Sequence, residues 1–290
     1  MSEGLSKRNL QYVLVMIFVT TNIFTWSAVF RADSRGVLTV AFLDVGQGDA
    51  IYIEAPNGNQ LLIDGGPSSG ALLRSLGQEM SFWDRTIDVV LATHADQDHV
   101  GGLPSVLQSM NIANVVTTEN VSTTGAYIAF KKAIAENGVH HVLVRAPGRI
   151  ILDDGVVFEI LFPNSNTMDW ETNTASIVGR LSYGDTSFLL TGDSPQSVER
   201  YLVGAHGGKI NADVLKLGHH GSKTSSSEIF ISAVSPEYAI VLAGKDNKYG
   251  HPNKEVLDLL SKFGISTINT ANTGTIKFET DGTELKKVSH

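Results

Sequence analysis

The chain has 290 residues, 42% of them hydrophobic and 18% charged, enough to bury a sizeable core in one large domain. Thirty acidic against 22 basic residues give a formal charge of -8. That excludes a protein holding nucleic acid over a broad basic surface, but not an enzyme that touches phosphate through metal ions, and the lack of any cysteine excludes thiolate zinc sites, disulfides and cysteine nucleophiles.

Leu10 to Phe30 carries no charged residue and is long enough to cross a bilayer, although Thr20, Thr21, Asn22, Thr25 and Ser27 leave it only moderately apolar. A cleaved signal peptide and a buried N-terminal helix are the competing readings, and no small-x-small cleavage site stands out. Lys7 and Arg8 precede the span, whereas Asp33 dilutes Arg31 and Arg35 behind it. The bias predicts a short cytoplasmic segment at 1–9, a transmembrane anchor at 10–30 and an extracytoplasmic domain at 36–290.

Within that domain Val37 to Val45 and Ala50 to Glu54 read as strands, and Pro56-Asn57-Gly58-Asn59 as a turn into the strand Gln60 to Ile63. Asp44, Asp49 and Asp64 fall at strand ends. Turn and cap roles account for Asp44 and Asp49 as well as support of a nearby site does. An amphipathic helix follows near Ala71 to Met80, then a buried strand, Ile87 to Leu91, that runs into His94-Ala95-Asp96-Gln97-Asp98-His99. Two imidazoles and two carboxylates within six residues, on a loop ahead of Gly101-Gly102 and a helix from Leu103, form a ligand set for two neighbouring metal ions. His94, Asp96 and Asp98 alternate along the loop, and His99 comes round with the turn.

The α/β alternation continues with a strand at Asn114 to Thr118, a helix at Gly125 to Asn137, and strands over Arg149 to Phe162 and Ser176 to Leu190, the latter pair turning at Tyr183-Gly184-Asp185-Thr186. His140 and His141, with no other ligand types beside them, read as surface residues. Asp193 follows a strand, and Asn173 offers a neutral oxygen to a metal or substrate. Val214-Leu215-Lys216-Leu217 is a buried strand ending in Gly218-His219-His220-Gly221-Ser222, so two more imidazoles emerge at a sheet edge. Ser222, Lys223 and Thr224 read as a helix start whose free N–H groups favour an anion. After the strand Tyr238 to Ala243, Lys245, Lys248 and Lys254 form a local basic stretch in which Tyr249 can stack a nucleobase.

The His94 loop resembles the HxHxDH signature of the metallo-β-lactamase fold, with Asp96 where the second histidine usually stands. That HxDxDH variant is similar to the nuclease domain of ComEC competence proteins. The resemblance runs over roughly residues 38 to 280 and includes Phe42-Leu43-Asp44-Val45-Gly46-Gln47-Gly48-Asp49, Leu62-Ile63-Asp64-Gly65-Gly66, Leu190-Thr191-Gly192-Asp193, the segment from Asp213 to Ser225, and Tyr249-Gly250-His251-Pro252. It implies an α/β, four-layer αββα sandwich bearing two divalent ions, Zn²⁺ or Mn²⁺. One would rest on His94 and Asp96 and the other on Asp98, His99 and His220, with Asp193 bridging and Asp64 supporting the loop. It also implies His219 near the scissile phosphate, although sequence alone allows His219 and His220 to be exchanged, and His251 in the site. Two departures stand out: Asn173-Thr174-Ala175-Ser176 lies where many members carry a further histidine, and Thr270-Ala271-Asn272 where ComEC-like chains commonly carry Thr-Asp.

The implied activity is that of a membrane-anchored phosphodiesterase, a nuclease on DNA and chiefly on single strands, linked to DNA uptake or processing, with a separate channel protein as a further partner. The alternatives are a phosphodiesterase on wall or lipid head groups, similar to phosphorylcholine esterases, and a weakly catalytic metal-binding module docking on a channel. Hydrolysis of β-lactams is disfavoured by Asp96.

Overall fold

A computed structural model describes residues 7–33, 36–245 and 247–288. Residues 1–6 of the expected cytoplasmic segment, Arg35, Asp246 and the last two residues of the 36–290 domain lie outside the described residues. The chain divides into two units, 1–37 and 38–290.

The first unit is a single helix, α1 (Lys7–Asp33), whose window Asn9–Trp26 has a mean hydropathy of 1.2. Its length and composition suffice to cross a membrane. The polar residues inside it satisfy themselves: Thr20 and Thr25 donate their hydroxyls to the carbonyls of Met16 and Thr21 at 2.8 Å, and the Asn22 amide donates to Phe18 O at 2.7 Å. Such back-bonding reduces the cost of placing a hydroxyl or amide in an apolar surrounding.

The second unit packs two sheets face to face with helices on both outer sides. The first sheet holds β1 (Leu38–Phe42), β2 (Ile51–Glu54), β3 (Gln60–Ile63), β4 (Thr86–Leu91), β5 (Asn111–Thr117) and β6 (His140–Leu143), and β14 (Ile276–Thr280) and β15 (Leu285–Val288) complete its order as β15-β14-β1-β2-β3-β4-β5-β6. The second holds β7 (Gly148–Asp153), β8 (Val156–Phe162), β9 (Val178–Tyr183), β10 (Thr186–Leu190), β11 (Val214–Lys216), β12 (Tyr238–Val241) and β13 (Ser266–Asn269), ordered β13-β12-β11-β10-β9-β8-β7. The stretch Arg149 to Phe162, expected as a strand region, is a hairpin of β7 and β8.

Side-chain alternation builds the layers. Val40 and Phe42 of β1 face Phe188 and Leu190 of β10 and Ile240 of β12 in the core between the sheets. Ala41 and Leu43 point the other way, onto α2 (Ser69–Glu79), α4 (Leu103–Ser109) and α5 (Gly125–Asn137), which follow the single turn α3 (Gln97–Val100). On the far side, Leu189, Leu215 and Val241 pack under α6 (Gln196–His206), α7 (Glu228–Val234) and α8 (Lys254–Lys262), with the short α9 (Thr270–Thr273) ahead of β14. Three apolar layers between four structural ones are the αββα sandwich expected from the motifs.

Strand direction then fixes where chemistry gathers. β3, β4 and β5 are parallel, as are β10, β11 and β12, so their carboxyl ends share one edge in each sheet. Asp64, the His94 loop, Asp193, the histidine pair and the segment beginning at Leu242 all leave from those ends, the edge where open α/β sheets place ligands.

Candidate metal centre

The two ends of the His94 loop are pinned before any ligand is considered. The register of β3 against β4 pairs Ile63 with Leu91, and Asp64 N–H donates to Leu91 O at 2.8 Å. The Asp64 carboxylate then accepts from Thr93 N–H and Thr93 Oγ1, both at 2.7 Å, and lies 2.8 Å from His99 Nδ1. Gly48 brings the β1–β2 loop against the far side: its φ is +126°, a Cβ there would stand 2.1 Å from Asp98 O, and Asp49 N–H donates to that oxygen at 3.1 Å. Only glycine permits that approach.

Asp49, His99, Asp193 and His220 each present a ligand atom within 4.8 Å of the others, and all four are buried. His99 Nε2 and His220 Nε2 both lie 3.3 Å from Asp193 Oδ2. Asp98 Oδ2 is 3.3 Å from His220 Nε2, the His94 ring centre is 4.0 Å from that of His99, and Asp96 Oδ2 is 3.7 Å from His94 Nε2. All six expected ligands therefore gather at one place. Asp49 joins the compact group, so of the two acids left open by sequence it is the one at the site. Asp44 is exposed and accepts Gly46 N–H at 3.1 Å in a turn.

The donors fit a metal. His94 Nε2 is buried without a hydrogen-bond partner among the described residues, a costly arrangement unless a ligand takes the lone pair of that neutral ring, and His99 Nε2 is buried with only the Asp193 carboxylate, at 3.3 Å, facing it. Behind the rings, Asp64 lies 2.8 Å from His99 Nδ1 and Thr93 Oγ1 3.0 Å from His94 Nδ1, while Asp49 Oδ1 faces His220 Nδ1 at 3.3 Å as an ion pair. Carboxylates behind ligating imidazoles orient the ring and raise its basicity.

Residues 43–245 match the Metallo-beta-lactamase superfamily. This chain belongs to that superfamily. The ComE operon protein 3 of Bacillus subtilis is 32% identical over 255 residues, and the competence protein ComA of Neisseria gonorrhoeae 34% over 239, each match covering 82% of this chain and 32% of the relative. The recombination protein 2 of Haemophilus influenzae is 32% identical over 86% of this chain and 30% of its own length. The chain thus spans about a third of the curated relatives it matches, and the resemblance to competence proteins holds. Among solved structures, the metallo hydrolase Igni18 of Ignicoccus hospitalis aligns with a TM-score of 0.56 at 16% identity, over 83% of this chain and 98% of that one. The metallo-β-lactamase fold protein YhfI of Bacillus subtilis gives 0.52 at 13%, over 80% and 95%.

For a metallo-β-lactamase hydrolase, electrostatics divide the imidazoles. Burial, then the charge of His99, pushes His94 down to about 3, so its ring is neutral. Burial also opposes charge on His99 and His220, but Asp193 and the neighbouring carboxylates outweigh it and hold both well above the ordinary histidine value. An ion taking those rings must displace their protons. A raised folded-state pKa contributes stability that is complete below the unfolded value of about 6.5 and is lost as pH rises through the folded one. Chelated protein should therefore melt lower at pH 8.5 than at pH 6, and Mn²⁺ should raise the melting temperature far more at pH 8.5. Equal Mn²⁺ shifts at the two pH values would contradict this.

The remaining expected residues surround the group unevenly. His219 Nε2 lies 3.9 Å from Asp193 Oδ2, and the His251 ring 5.4 Å from that of His219. Both His219 (φ 49°) and His220 (φ 57°) adopt left-handed backbone, a conformation costing of order 1–3 kcal/mol per residue and typical of sites that over-determine it. Tyr249 is exposed and stacks on His251 at 5.8 Å, with Lys248 Nζ 5.2 Å from its ring centre. Asn173 Oδ1 is buried without a hydrogen-bond partner among the described residues, and its neighbour Thr172 bonds the Asp96 carboxylate. His140 and His141 bond Asn114 and Thr117, which makes them part of the β5–β6 edge.

One local expectation is corrected. Ser222, Lys223 and Thr224 do not begin a helix: α7 starts at Glu228, and Ser222 Oγ closes a turn by accepting from Thr224 N–H at 3.3 Å. The N–H groups of Ser226 and Ser227 ahead of α7 go to the buried carboxylate of Glu199, the latter at 2.8 Å. Two N–H groups at the approach to that helix are thus already satisfied by a carboxylate. Glu199 was invisible in sequence because α6 carries it like any other polar helix residue. Ser176, whose Oγ accepts Asp193 N–H at 3.1 Å and lies 3.4 Å from His94 Nδ1, was legible only as part of the Asn173 segment.

Proposed function

We propose that this chain is a phosphodiesterase, a DNA nuclease preferring single strands, anchored by α1 with the enzyme domain outside the membrane and working beside a separate channel protein. The observation that carries the reading is the gathering of His94, Asp96, Asp98, His99, Asp193 and His220 at one sheet edge, with His94 Nε2 buried and without a hydrogen-bond partner among the described residues. The competence proteins it resembles direct the choice of DNA.

In this reading His94 and Asp96 would hold one divalent ion, Asp98, His99 and His220 would hold the other, and Asp193 would serve both. Three carboxylates among the ligands suit Mn²⁺ as well as Zn²⁺. When bound, such ions would supply a nucleophile at neutral pH and stabilise charge developing in an in-line displacement at phosphorus. His219, on the open side of Asp193, exchanges a proton with the leaving oxygen, and His251 holds its ring in place. Lys223 acts in catalysis with its ammonium beside the scissile phosphate, Ser222 and Asn173 bind the substrate, and Tyr249 stacks a base that only an unpaired strand can offer.

The test is cleavage by full-length protein of single-stranded DNA, duplex DNA and a phosphocholine ester, with Mn²⁺ or Zn²⁺. Single strands should be cut fastest. Lys254 is engaged by Asp258 at 2.8 Å, which leaves Lys223, Lys245 and Lys248 for the backbone. Two or three phosphates at about -0.7 each predict a slope of log affinity against log salt of roughly -1.5 to -2. No DNA cleavage beside brisk phosphocholine hydrolysis would replace the nuclease with a head-group phosphodiesterase. The anchor is tested separately: protease added to intact cells should digest the domain, and protection or release by salt would reject this topology.

A further inference from the structure

On β11 the side chains alternate, Val214 into the core between the sheets and Leu215 onto the outer helices, so the next inward position calls for an apolar residue. It is Lys216, fully buried. An ammonium is costly to bury unless its donors are met, and all three are: Nζ pairs with Asp49 Oδ2, donates to Gly192 O at 2.7 Å and lies 3.4 Å from Asp193 Oδ1. The two carboxylate contacts each remove one oxygen from the metal group. With Oδ1 turned to Lys216, Asp193 has only Oδ2 facing His99, His220 and His219. With its Oδ2 held, Asp49 turns Oδ1 to His220 Nδ1, which leaves Nε2 of that ring facing Asp98 and Asp193.

We infer that Lys216 is a positioning residue: a built-in cation that keeps Asp49 out of the metal ligand set, reserves one oxygen of Asp193 for the ions, and through Asp49 orients His220. The inference rests on the metal-centre reading and is independent of the substrate. Asp49 lies close enough to His99, Asp193 and His220 to act as a ligand itself. Lys216 is what prevents it. Without that charge the four groups collapse onto one ion, and the second position is lost.

The experiment loads full-length wild type, Lys216→Met and the double variant Asp49→Asn/Lys216→Met with Mn²⁺, counts the metal, measures its dissociation constants and locates the ions by anomalous scattering. Wild type should hold two ions. Lys216→Met should hold one, displaced toward Asp49. The double variant, which removes both charges together and so leaves neither buried alone, should recover two ions, with the one on His220 bound about 10–100-fold more weakly because its ring has lost a carboxylate. Two ions at wild-type positions and affinities in Lys216→Met would overturn the inference and reduce Lys216 to a core filler. Should that single variant not fold, wild-type affinity at both positions in the double variant would overturn it equally. Failure of wild type to take two ions would instead bring down the metal-centre reading underneath.

Discussion

Asp193→Ala is expected to abolish turnover, by at least about 10³-fold, and to release both ions. In the two-ion reading proposed above, Asp193 Oδ2, 3.3 Å from both His99 Nε2 and His220 Nε2, is the anion between the cations, and its loss would leave them repelling each other. A second consequence is structural. Asp193 shares the buried ammonium of Lys216 with Asp49, and removing one carboxylate from a buried ion group costs about 3–5 kcal/mol where nothing replaces it, less here because Asp49 remains. Metal analysis and thermal melting separate the two effects, since Mn²⁺ should no longer raise the melting temperature. Two ions bound per chain with full activity would remove Asp193 from the centre.

His99→Ala and His220→Ala should empty one metal position, and His94→Ala the other, each with at least about 10²-fold loss of rate. The division follows from the supports. His99 and His220 are backed by Asp64 and Asp49 and share Asp193, whereas His94 is backed by hydroxyls and faces Asp96. Carboxylate-backed rings are the more basic ligands, so the His99–His220 ion should be the tighter of the two. Asp64→Asn, which keeps the shape and removes that charge, should weaken it about 10–100-fold. Anomalous scattering from each variant identifies the position that empties. Equal loss of both peaks in every variant would contradict the division.

Much of this architecture was legible before any coordinates. Period-two apolar runs marked most of the strands, Pro56-Asn57-Gly58-Asn59 and the 183–186 turn marked two hairpins, and α5 begins and ends where its pattern does, between Thr124 and Gly138. These are local signals, set by propensity and side-chain alternation, and they survive folding because neighbouring residues decide them. The candidate ligands were legible for two different reasons: His94, Asp96, Asp98 and His99 because two imidazoles and two carboxylates within six residues are rare without a metal, and Asp193 and His220 only through the family resemblance.

The roles of Asp49, Lys216, Ser176 and Glu199 were decided only by the tertiary structure. Asp49 looks like any turn acid until the Gly48 approach to Asp98 O brings it beneath His220. Lys216 sits in an apolar strand, and its partners lie 167 and 23 residues away in sequence, so no window of neighbouring residues contains the ion group. Ser222 to Thr224 failed as a helix start because their N–H groups are taken in a turn, by His219 O, Asn253 Oδ1 and Ser222 Oγ, and only after Ser226 and Ser227 have given theirs to Glu199, from another helix, does α7 begin. By itself the sequence determined which side chains can bind a cation; burial and the meeting of two sheet edges decided which face the centre and which hold those that do, because desolvation and charge pairing depend on distance through space.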